Sequence, residues 1–283
     1  MVKVIIPDLN KIVKFPKFKT TEGLRTVKGF WDKGRLIAKT TKTQATLPKD
    51  KNLLKKLGIR KGDKILAIAA YYGDWADALG EDGAKVCYSD ISKSLVNWAR
   101  ENLKNIESFI CCDFVSIPRK KLEFDWTFSF EPVGAGLPVA MLRSLLNKKG
   151  GILVVYVPRF IKRTRKWKTG RNLFRIINCL SKTYECRSQI ERIMIEGTLP
   201  NGEKLVKPHI FGKIFTNKLA RERANFDLAL LGLLKNKRRV SIKKLMNISK
   251  AKRKKIERSM NRLNRISKLL EEKFRKNVLI ENA

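Results

Sequence analysis

An acidic residue, Asp90, stands where the chain could bind the hydroxyls of a sugar. The apolar run 65–70 is followed by a turn at 72–74, and a second run, 85–89, ends directly before Asp90. A carboxylate about 20 residues past such a turn is placed to accept a hydrogen bond from a ribose hydroxyl. The spacing therefore predicts a nucleotide-type ligand between the turn and Asp90.

The segments that would position Asp90 alternate between strand and helix across residues 64–158. Short apolar runs that alternate with helical segments are typical of an α/β fold with a parallel sheet. Ligands of open α/β sheets bind outside the carboxyl ends of the strands, which is where both the turn and Asp90 fall. The pattern therefore predicts a Rossmann-like domain with a binding site at that edge.

Further segments continue the alternation and carry a family resemblance. They are residues 109–114 with Asp113 near the end, residues 124–132 with Glu131 and Pro132 at the end, and residues 149–155 with Gly150 and Gly151 at the start. Over about the middle third of the chain, this series resembles the class I S-adenosylmethionine-dependent methyltransferases. The resemblance implies a seven-stranded sheet that ends in an antiparallel pair, for which residues 192–199 and 210–215 are the candidates.

The same resemblance implies S-adenosyl-L-methionine as cofactor. In the family the first strand ends in a loop of the form acidic-x-Gly-x-Gly-x-Gly, and the matching positions here are Ala67, Ala69, Tyr71 and Gly73. Only the last glycine is present, although glycine lets a backbone approach a ligand and adopt positive φ at little steric cost. The third strand's Asp commonly faces the adenine in this family. The implied cofactor-binding residues are Ala69, Tyr71, Gly73, Asp90, Ile91, Asp113 and Phe114.

One catalytic candidate follows the fourth strand. Exocyclic-amine methyltransferases usually carry an Asn/Asp-Pro-Pro-aromatic loop there, and Glu131 matches its acidic position in the segment 130–134. The resemblance thus implies Glu131 as general base or substrate orienter. His209 is the only histidine and no Cys-x-x-Cys pair occurs, so we expect neither a metal site nor a histidine relay.

The charge of the chain indicates a polyanionic partner. Its 283 residues include 63 Lys and Arg against 26 Asp and Glu, a net charge of +37. Such an excess argues for nucleic acid or an anionic surface. A basic cluster with one aromatic follows the fifth strand, at the predicted site edge, and favours a nucleic-acid substrate over a metabolite. We expect RNA rather than DNA as that nucleic acid. Its members are Arg159, Lys162, Arg163, Arg165, Lys166, Trp167, Lys168 and Arg171. A solvated helix face with Trp167 packed inward is the alternative for this cluster.

The chain divides into three predicted regions. Residues 1–60 form a basic N-terminal extension in which aromatic and cationic residues interleave, a composition that suits stacking on bases and binding of phosphates. Residues 61–217 form the methyltransferase-like α/β domain. Residues 218–283 have apolar residues at helical spacing beside many cations. They resemble a helix-turn-helix, with a coiled interaction arm or an RNA clamp as alternatives.

Composition also predicts the compartment. The five cysteines are an odd number, and three of them fall in predicted core strands, which fits a reducing cytoplasm better than a disulfide framework. No apolar run approaches the roughly 18 residues of a membrane span. We therefore expect a cytoplasmic protein with no membrane partner, and the sequence makes no prediction of oligomeric state.

Two functions follow, and a third is weaker. The first is a methyltransferase that acts on RNA, with tRNA or rRNA as the expected target. The second is a catalytically inactive, methyltransferase-like nucleic-acid-binding protein, which the missing glycines at Ala69 and Tyr71 favour. The third is a DNA-binding regulator that acts through the C-terminal helices.

Overall fold

The computed structural model describes residues 47–48, 50, 52–68, 70, 73–90, 93–111, 123–130, 142–156, 165–198, 204–234, 246–247, 249 and 251–278. Residues 1–46 of the predicted N-terminal extension, 1–60, lie outside them. In chain order the strands are β1 Leu47–Pro48, β2 Lys64–Ile68, β3 Lys85–Asp90, β4 Ser108–Cys111, β5 Trp126–Phe130, β6 Gly150–Tyr156, β7 Ser188–Thr198 and β8 Lys204–Phe215. The helices are α1 Leu53–Leu57, α2 Asp74–Glu81, α3 Lys93–Asn102, α4 Arg165–Tyr184, α5 Lys218–Leu234 and α6 Arg253–Val278.

All of these strands belong to one sheet in the order β1-β7-β8-β6-β5-β2-β3-β4. β2 pairs in parallel with both β3 and β5, β4 extends the parallel part beyond β3, and β6 extends it beyond β5. β8 is antiparallel to both β6 and β7. Apart from the two-residue β1, this is the α/β sheet with a final antiparallel pair that the sequence predicts, so the predicted fold is confirmed.

Helices cover both faces of the sheet, and the alternation of side chains along β6 shows why its sequence is almost continuously apolar. Ile152 and Val154 join one core cluster with α1, α2 and α3, whereas Leu153 joins another with α4, α5 and α6. A strand that is buried on both faces needs apolar residues at successive positions. The run in β6 therefore has a structural cause on each side of the sheet.

The β7–β8 hairpin reaches beyond the rest of the sheet. β6 pairs with β8 as far as Tyr156, which lies opposite His209. β8 continues to pair with β7 out to Lys204, opposite Thr198, and these five further residues correspond to about 17 Å of strand. β1 pairs with this outer end, with Leu47 opposite Thr198. The chain that precedes Leu47 therefore joins the sheet at the carboxyl edge of the parallel strands.

A buried polar cluster fastens α6 to α4 and α5. The Asp227 side chain on α5 is fully buried. Its carboxylate accepts hydrogen bonds from Tyr184 Oη at 2.8 Å and Ser259 Oγ at 2.6 Å. It also accepts a bidentate pair from Arg262, from Nε at 2.7 Å and Nη2 at 2.6 Å. Bidentate Arg–carboxylate contacts restrict geometry as well as adding energy, so this Asp227 cluster fixes the position of α6.

Two kinds of feature are absent from the described residues. None of the helices placed in the structure is both long and apolar enough to cross a membrane. Within the same ranges, no group of three His, Cys, Asp or Glu side chains is arranged to hold a metal ion.

Candidate cofactor site at the carboxyl edge of the sheet

The candidate site lies where β2, β3 and β5 end side by side. β2 has β3 on one side and β5 on the other, so the order of connection reverses at β2. Crevices at such a switch point are where open α/β sheets bind ligands. Ile68 at the end of β2 is paired with Ser89, which places Asp90 one residue further out on the neighbouring strand.

Gly73 closes the turn between β2 and α2. Its N–H donates to the carbonyl of Ala70 at 2.8 Å, and its own carbonyl accepts the first helical hydrogen bond, from Asp77 N at 2.8 Å. Gly73 has the left-handed φ of 77°. A Cβ there would stand 2.4 Å from Leu103 Cδ1 and 3.0 Å from Tyr88 Cε2. In dinucleotide folds the third glycine serves close helix–strand packing, and Gly73 fills that role here.

Gly73→Ala is therefore expected to destabilise the protein through two effects, backbone strain and a side-chain collision. Gly62→Ala is the matched control, because Gly62 has a similar φ of 79° and a Cβ at that position would have no atom within 4 Å. We expect the free energy of unfolding to fall by about 1 kcal/mol in the control, because of backbone strain. In Gly73→Ala it should fall by about 1 kcal/mol more, because of overpacking. Urea unfolding of both variants measures the difference. Equal losses of unfolding free energy in the two variants would show that the Leu103 and Tyr88 side chains move aside at little cost, and would contradict this prediction.

Asp90 is the last residue of β3 and is buried, with 7% of its surface exposed. It lies opposite Cys111, the last residue of β4. A carboxylate that follows a strand could also cap the next helix. The described part of α3 begins at Lys93, three residues after Asp90. The position of Asp90 beyond the β2–β3 pairing also suits a ligand at the edge.

Aromatic side chains lie beneath this edge, between α2 and the sheet. Trp75 in the first turn of α2 stacks on Phe130, the last residue of β5, with ring centroids 4.6 Å apart, and on Phe128 at 5.9 Å. His209 from β8 meets Trp75 edge-on at 5.3 Å and lies 6.0 Å from Phe130. We call Trp75, Phe128, Phe130 and His209 the aromatic floor. These rings form a largely buried aromatic layer directly below the carboxyl edge.

A second acid, Asp74, begins α2 beside the glycine turn. Burial, and to a smaller extent the neighbouring Asp77 carboxylate, raise the pKa of Asp74 to about 6. Asp77 itself faces the loop after α3, where it accepts hydrogen bonds from Lys104 N at 3.1 Å and Asn105 N at 2.8 Å. Asp74 thus changes charge close to neutral pH at the rim of the candidate site.

The raised pKa of Asp74 predicts a pH-dependent stability difference. Its folded-state pKa, about 6, lies above the usual 3.8 of an aspartate, so folding favours the protonated acid, and this stabilisation is lost as the pH rises through about 6. Asp74→Asn should match wild type near pH 4. Above pH 7 it should be more stable by about 1–2 kcal/mol, after a discount for solvent screening. Urea unfolding at both pH values measures this. A difference independent of pH, or the same difference for exposed Glu81→Gln, would contradict it.

The structure brings some of the sequence-predicted residues together and leaves others undescribed. Gly73 and Asp90 lie at the same edge, as expected. Arg165, Lys166, Trp167, Lys168 and Arg171 lie on the first half of α4. The others fall outside the described residues: Ala69, Tyr71, Ile91, Asp113, Phe114, Glu131, Arg159, Lys162 and Arg163.

Sequence reasoning did not identify the aromatic floor or Asp74 as parts of the site. Trp75, Phe130 and His209 come from different elements, and their contact depends on the pairing of β8 with β6, which no local pattern shows. The available signal was weak. Asp74 and Trp75 directly follow the glycine turn, and Phe130 directly precedes Glu131.

Comparisons with known proteins find likeness in structure only. No protein-family model matches the chain, and no curated protein matches it. Among solved structures, the precorrin-6y C5,15-methyltransferase of Geobacter metallireducens is 13% identical, with 57% of this chain and 84% of that chain covered and a TM-score of 0.38. A TehB-like S-adenosylmethionine-dependent methyltransferase of Corynebacterium glutamicum is 14% identical, with 68% and 98% covered and a TM-score of 0.35.

A chain from the complex between the Trm112 methyltransferase activator of Haloferax volcanii and a methyltransferase is 13% identical. It gives a TM-score of 0.45, with 68% of this chain and 98% of that chain covered. Identities and TM-scores of this size say nothing about substrate, so the assignment of the fold rests on the strand order. A parallel sheet that ends in an antiparallel pair is the arrangement that the resemblance to the class I S-adenosylmethionine-dependent methyltransferases implies, and the chain has this arrangement.

Proposed function

We propose that this protein is an S-adenosylmethionine-dependent methyltransferase that acts on RNA. The observation that carries the proposal is the position of Asp90. This acid is buried at the carboxyl end of β3, beside a strand that leads into a glycine-capped helix at the switch point of the sheet. A carboxylate in that position is suited to the ribose hydroxyls of a nucleoside cofactor.

The residues present fit such a cofactor by their chemistry. Asp90 would accept hydrogen bonds from the ribose, and the turn at Gly73 would let the α2 N-terminus stand close to the ligand. From the resemblance, Ala69, Tyr71 and Ile91 would line the pocket, and Asp113 with Phe114 would meet the adenine. The cofactor supplies an electrophilic methyl group on a sulfonium. Cations of this kind are attracted to aromatic faces, and Phe130, the partly exposed member of the aromatic floor at the end of β5, is the ring that could offer one.

The protein's own contribution to methyl transfer would be mainly positioning. A nucleophile held in line with the methyl group gains most of its rate from orientation and from exclusion of water. Glu131 directly follows Phe130 at the end of β5 in the sequence. There it would accept the proton that the substrate loses, or hydrogen-bond to the base that is methylated.

Charge and topology support a nucleic acid as substrate. The net charge is +37, and the cluster from Arg159 to Arg171 follows β6 at its carboxyl end, the edge where the candidate site lies. The chain before Leu47, rich in aromatic and basic residues, joins the sheet at the same edge. Base stacking on aromatic rings with nearby cations is typical of single-stranded nucleic acid binding, and RNA offers such unpaired bases for modification.

Calorimetric titration of the purified protein with S-adenosylmethionine tests the proposal. We expect binding in the micromolar range. With cofactor labelled at the methyl group, we also expect label to be transferred to tRNA or rRNA fractions. Absence of binding up to millimolar cofactor would overturn the proposal. Binding with label transferred only to protein or small molecules would retain the cofactor and reject RNA.

The replacement of two loop glycines by Ala69 and Tyr71 favours a second candidate function. In it, the α/β domain is a scaffold for basic surfaces that bind nucleic acid without catalysis. A tyrosine ring at position 71 would occupy space that the methionine part of the cofactor needs. This candidate predicts RNA binding with no calorimetric signal for the cofactor, so the same titration separates the two functions.

A further inference from the structure

The helix α6 has a sharply divided surface. Its inner side buries Ile256, Met260 and Leu263 among α4 and α5. Its outer side exposes the cations Lys254, Arg258 and Arg265. These residues follow one another at i, i+4 and i+11, which places them on one stripe of a helix of 3.6 residues per turn. We call these three the α6 basic face.

Within the part of the chain that the structure describes, none of the three cations of the α6 basic face forms a salt bridge. Two neighbouring cations on α6 have carboxylate partners: Arg253 pairs with Glu257 at 2.8 Å, and Arg262 pairs with Asp227 at 2.6 Å. Lys254 and Arg258 are four residues apart on one helix face, where like charges are mutually destabilising. A bound polyanion would relieve this repulsion.

The α6 basic face is also held rigidly. Ser259 and Arg262, on the same helix, donate to the fully buried Asp227 carboxylate. At 1.5 Å per residue, the three cations span about 17 Å along a straight helix. A row of charges fixed in this way can contact several phosphates without first losing backbone entropy.

The neighbouring helix α4 also exposes cations. The Arg262 guanidinium lies 6.0 Å from the Tyr184 ring near the end of α4, and the Arg265 charge acts on the Cys179 thiol, earlier in α4. α6 therefore runs antiparallel to α4. Arg175 and Lys182 are exposed on this part of α4, so cations line both helices.

We propose that the α6 basic face binds the phosphate backbone of double-stranded RNA, outside the candidate cofactor site. Single-strand binding surfaces offer exposed aromatic rings for stacking. The large hydrophobic side chains exposed in the described part of the chain are Val206 and Leu219, neither of them aromatic. Double-stranded RNA is recognised chiefly through its shape, phosphates and 2′-hydroxyls. The inference extends the proposed function, since it supposes that the substrate is an RNA with paired regions.

Fluorescence anisotropy with a labelled 20-base-pair RNA duplex tests this inference on the full chain. The test variant is Lys254→Glu/Arg258→Glu/Arg265→Glu. The control is Arg60→Glu/Lys61→Glu/Lys85→Glu, which makes the same change in net charge at exposed positions around the opposite edge of the sheet. We expect the dissociation constant in the test variant to rise by a factor of about ten or more. The slope of log affinity against log salt concentration should become less negative by about 2–3. The control should change affinity by less than about threefold.

The outcomes separate this surface from its alternatives. Equal losses in test and control variants would mean that only net charge matters, and an unchanged test variant would mean that RNA binds elsewhere; either overturns the inference. The inference would also be overturned if the protein bound a DNA duplex of the same length, or vesicles rich in phosphatidylserine, more tightly than the RNA duplex and lost that binding in the test variant. A milder triple variant with glutamine at the same positions, together with thermal melting, guards against a loss caused by misfolding.

Cofactor titration of the same proteins keeps this test apart from that of the proposed function. We expect the test variant to bind S-adenosylmethionine as wild type does, because the three cations lie on the outer side of α6 and away from Asp90 and Gly73. If the protein binds no cofactor but binds RNA through the α6 basic face, the RNA-binding surface is supported and the proposed methyltransferase function is rejected. If it binds the cofactor but the test variant binds RNA as wild type does, the methyltransferase function is retained and the surface is rejected.

Discussion

Asp90→Asn is expected to weaken S-adenosylmethionine binding by about 100-fold. A hydrogen bond to a charged group contributes about 1.5–3 kcal/mol, and about 2.7 kcal/mol corresponds to two decades of affinity. The amide keeps the size of the side chain but removes the charge and replaces one acceptor by a donor that opposes a ribose hydroxyl. Calorimetry of wild type and variant under the same conditions measures the change.

A control at the opposite edge of the sheet distinguishes ligand binding from a general effect of losing an acid. Asp125 precedes β5 and accepts a hydrogen bond from Lys64 N at 2.9 Å. Asp125→Asn should bind the cofactor as wild type does. If both variants lose affinity equally, or if Asp90→Asn binds normally, Asp90 does not hold the ribose and the proposed site is wrong.

Asp227→Ala is expected to reduce the free energy of unfolding by about 3–5 kcal/mol. The substitution removes the common acceptor of Tyr184, Ser259 and Arg262 and leaves the Arg262 guanidinium, which is largely buried, without its carboxylate. Burial and the adjacent Asp227 raise the pKa of Tyr184 well above its usual value, so the phenol is a donor here and loses its acceptor as well. Urea unfolding followed by circular dichroism measures the loss.

Glu257→Gln provides the comparison for Asp227→Ala. The Arg253–Glu257 pair is on the same helix with both side chains more than one third exposed, and exposed pairs contribute about 0–1 kcal/mol. A loss below about 1 kcal/mol for Asp227→Ala, similar to that of Glu257→Gln, would show that α6 is not held by this cluster. The rigidity of the α6 basic face would then have no structural basis.

Much of the sheet is predictable from the sequence because its central strands are buried on both faces. The runs at β2 and β6 are nearly continuous in apolar residues, β3 contains the apolar run 86–88, and the structure places strands at all three. The length of the hairpin was underestimated. β7 begins at Ser188 and β8 at Lys204, earlier than the predicted 192 and 210. The residues at the start of β7 and of β8 include many polar ones, which conceal the alternation typical of a strand. They are in strand conformation because β7 and β8 pair with each other there.

The candidate site is only partly predictable, for a similar reason. Gly73 and Asp90 belong to one strand–helix–strand unit, β2–α2–β3, so their spacing alone predicts that they meet at one edge. The contact of His209 with Trp75 and Phe130 instead requires the antiparallel return of β8 beside β6. Spacing along the chain carries no information on such a contact. The raised pKa of Asp74 likewise depends on burial that only the folded chain creates.

The shared core of α4, α5 and α6 has a consequence for how the C-terminal segment that contains α6 can be removed or exchanged. A polypeptide that ended after Leu234 would lose Ile256, Met260 and Leu263 from the cluster that contains Leu228 and Tyr184. It would also leave the Asp227 carboxylate without Ser259 and Arg262. Deletion would therefore compromise folding together with any RNA affinity, and grafting α6 onto another protein would expose an apolar stripe. Charge reversal at exposed positions of α6, in contrast, would change RNA affinity and leave the shared core in place.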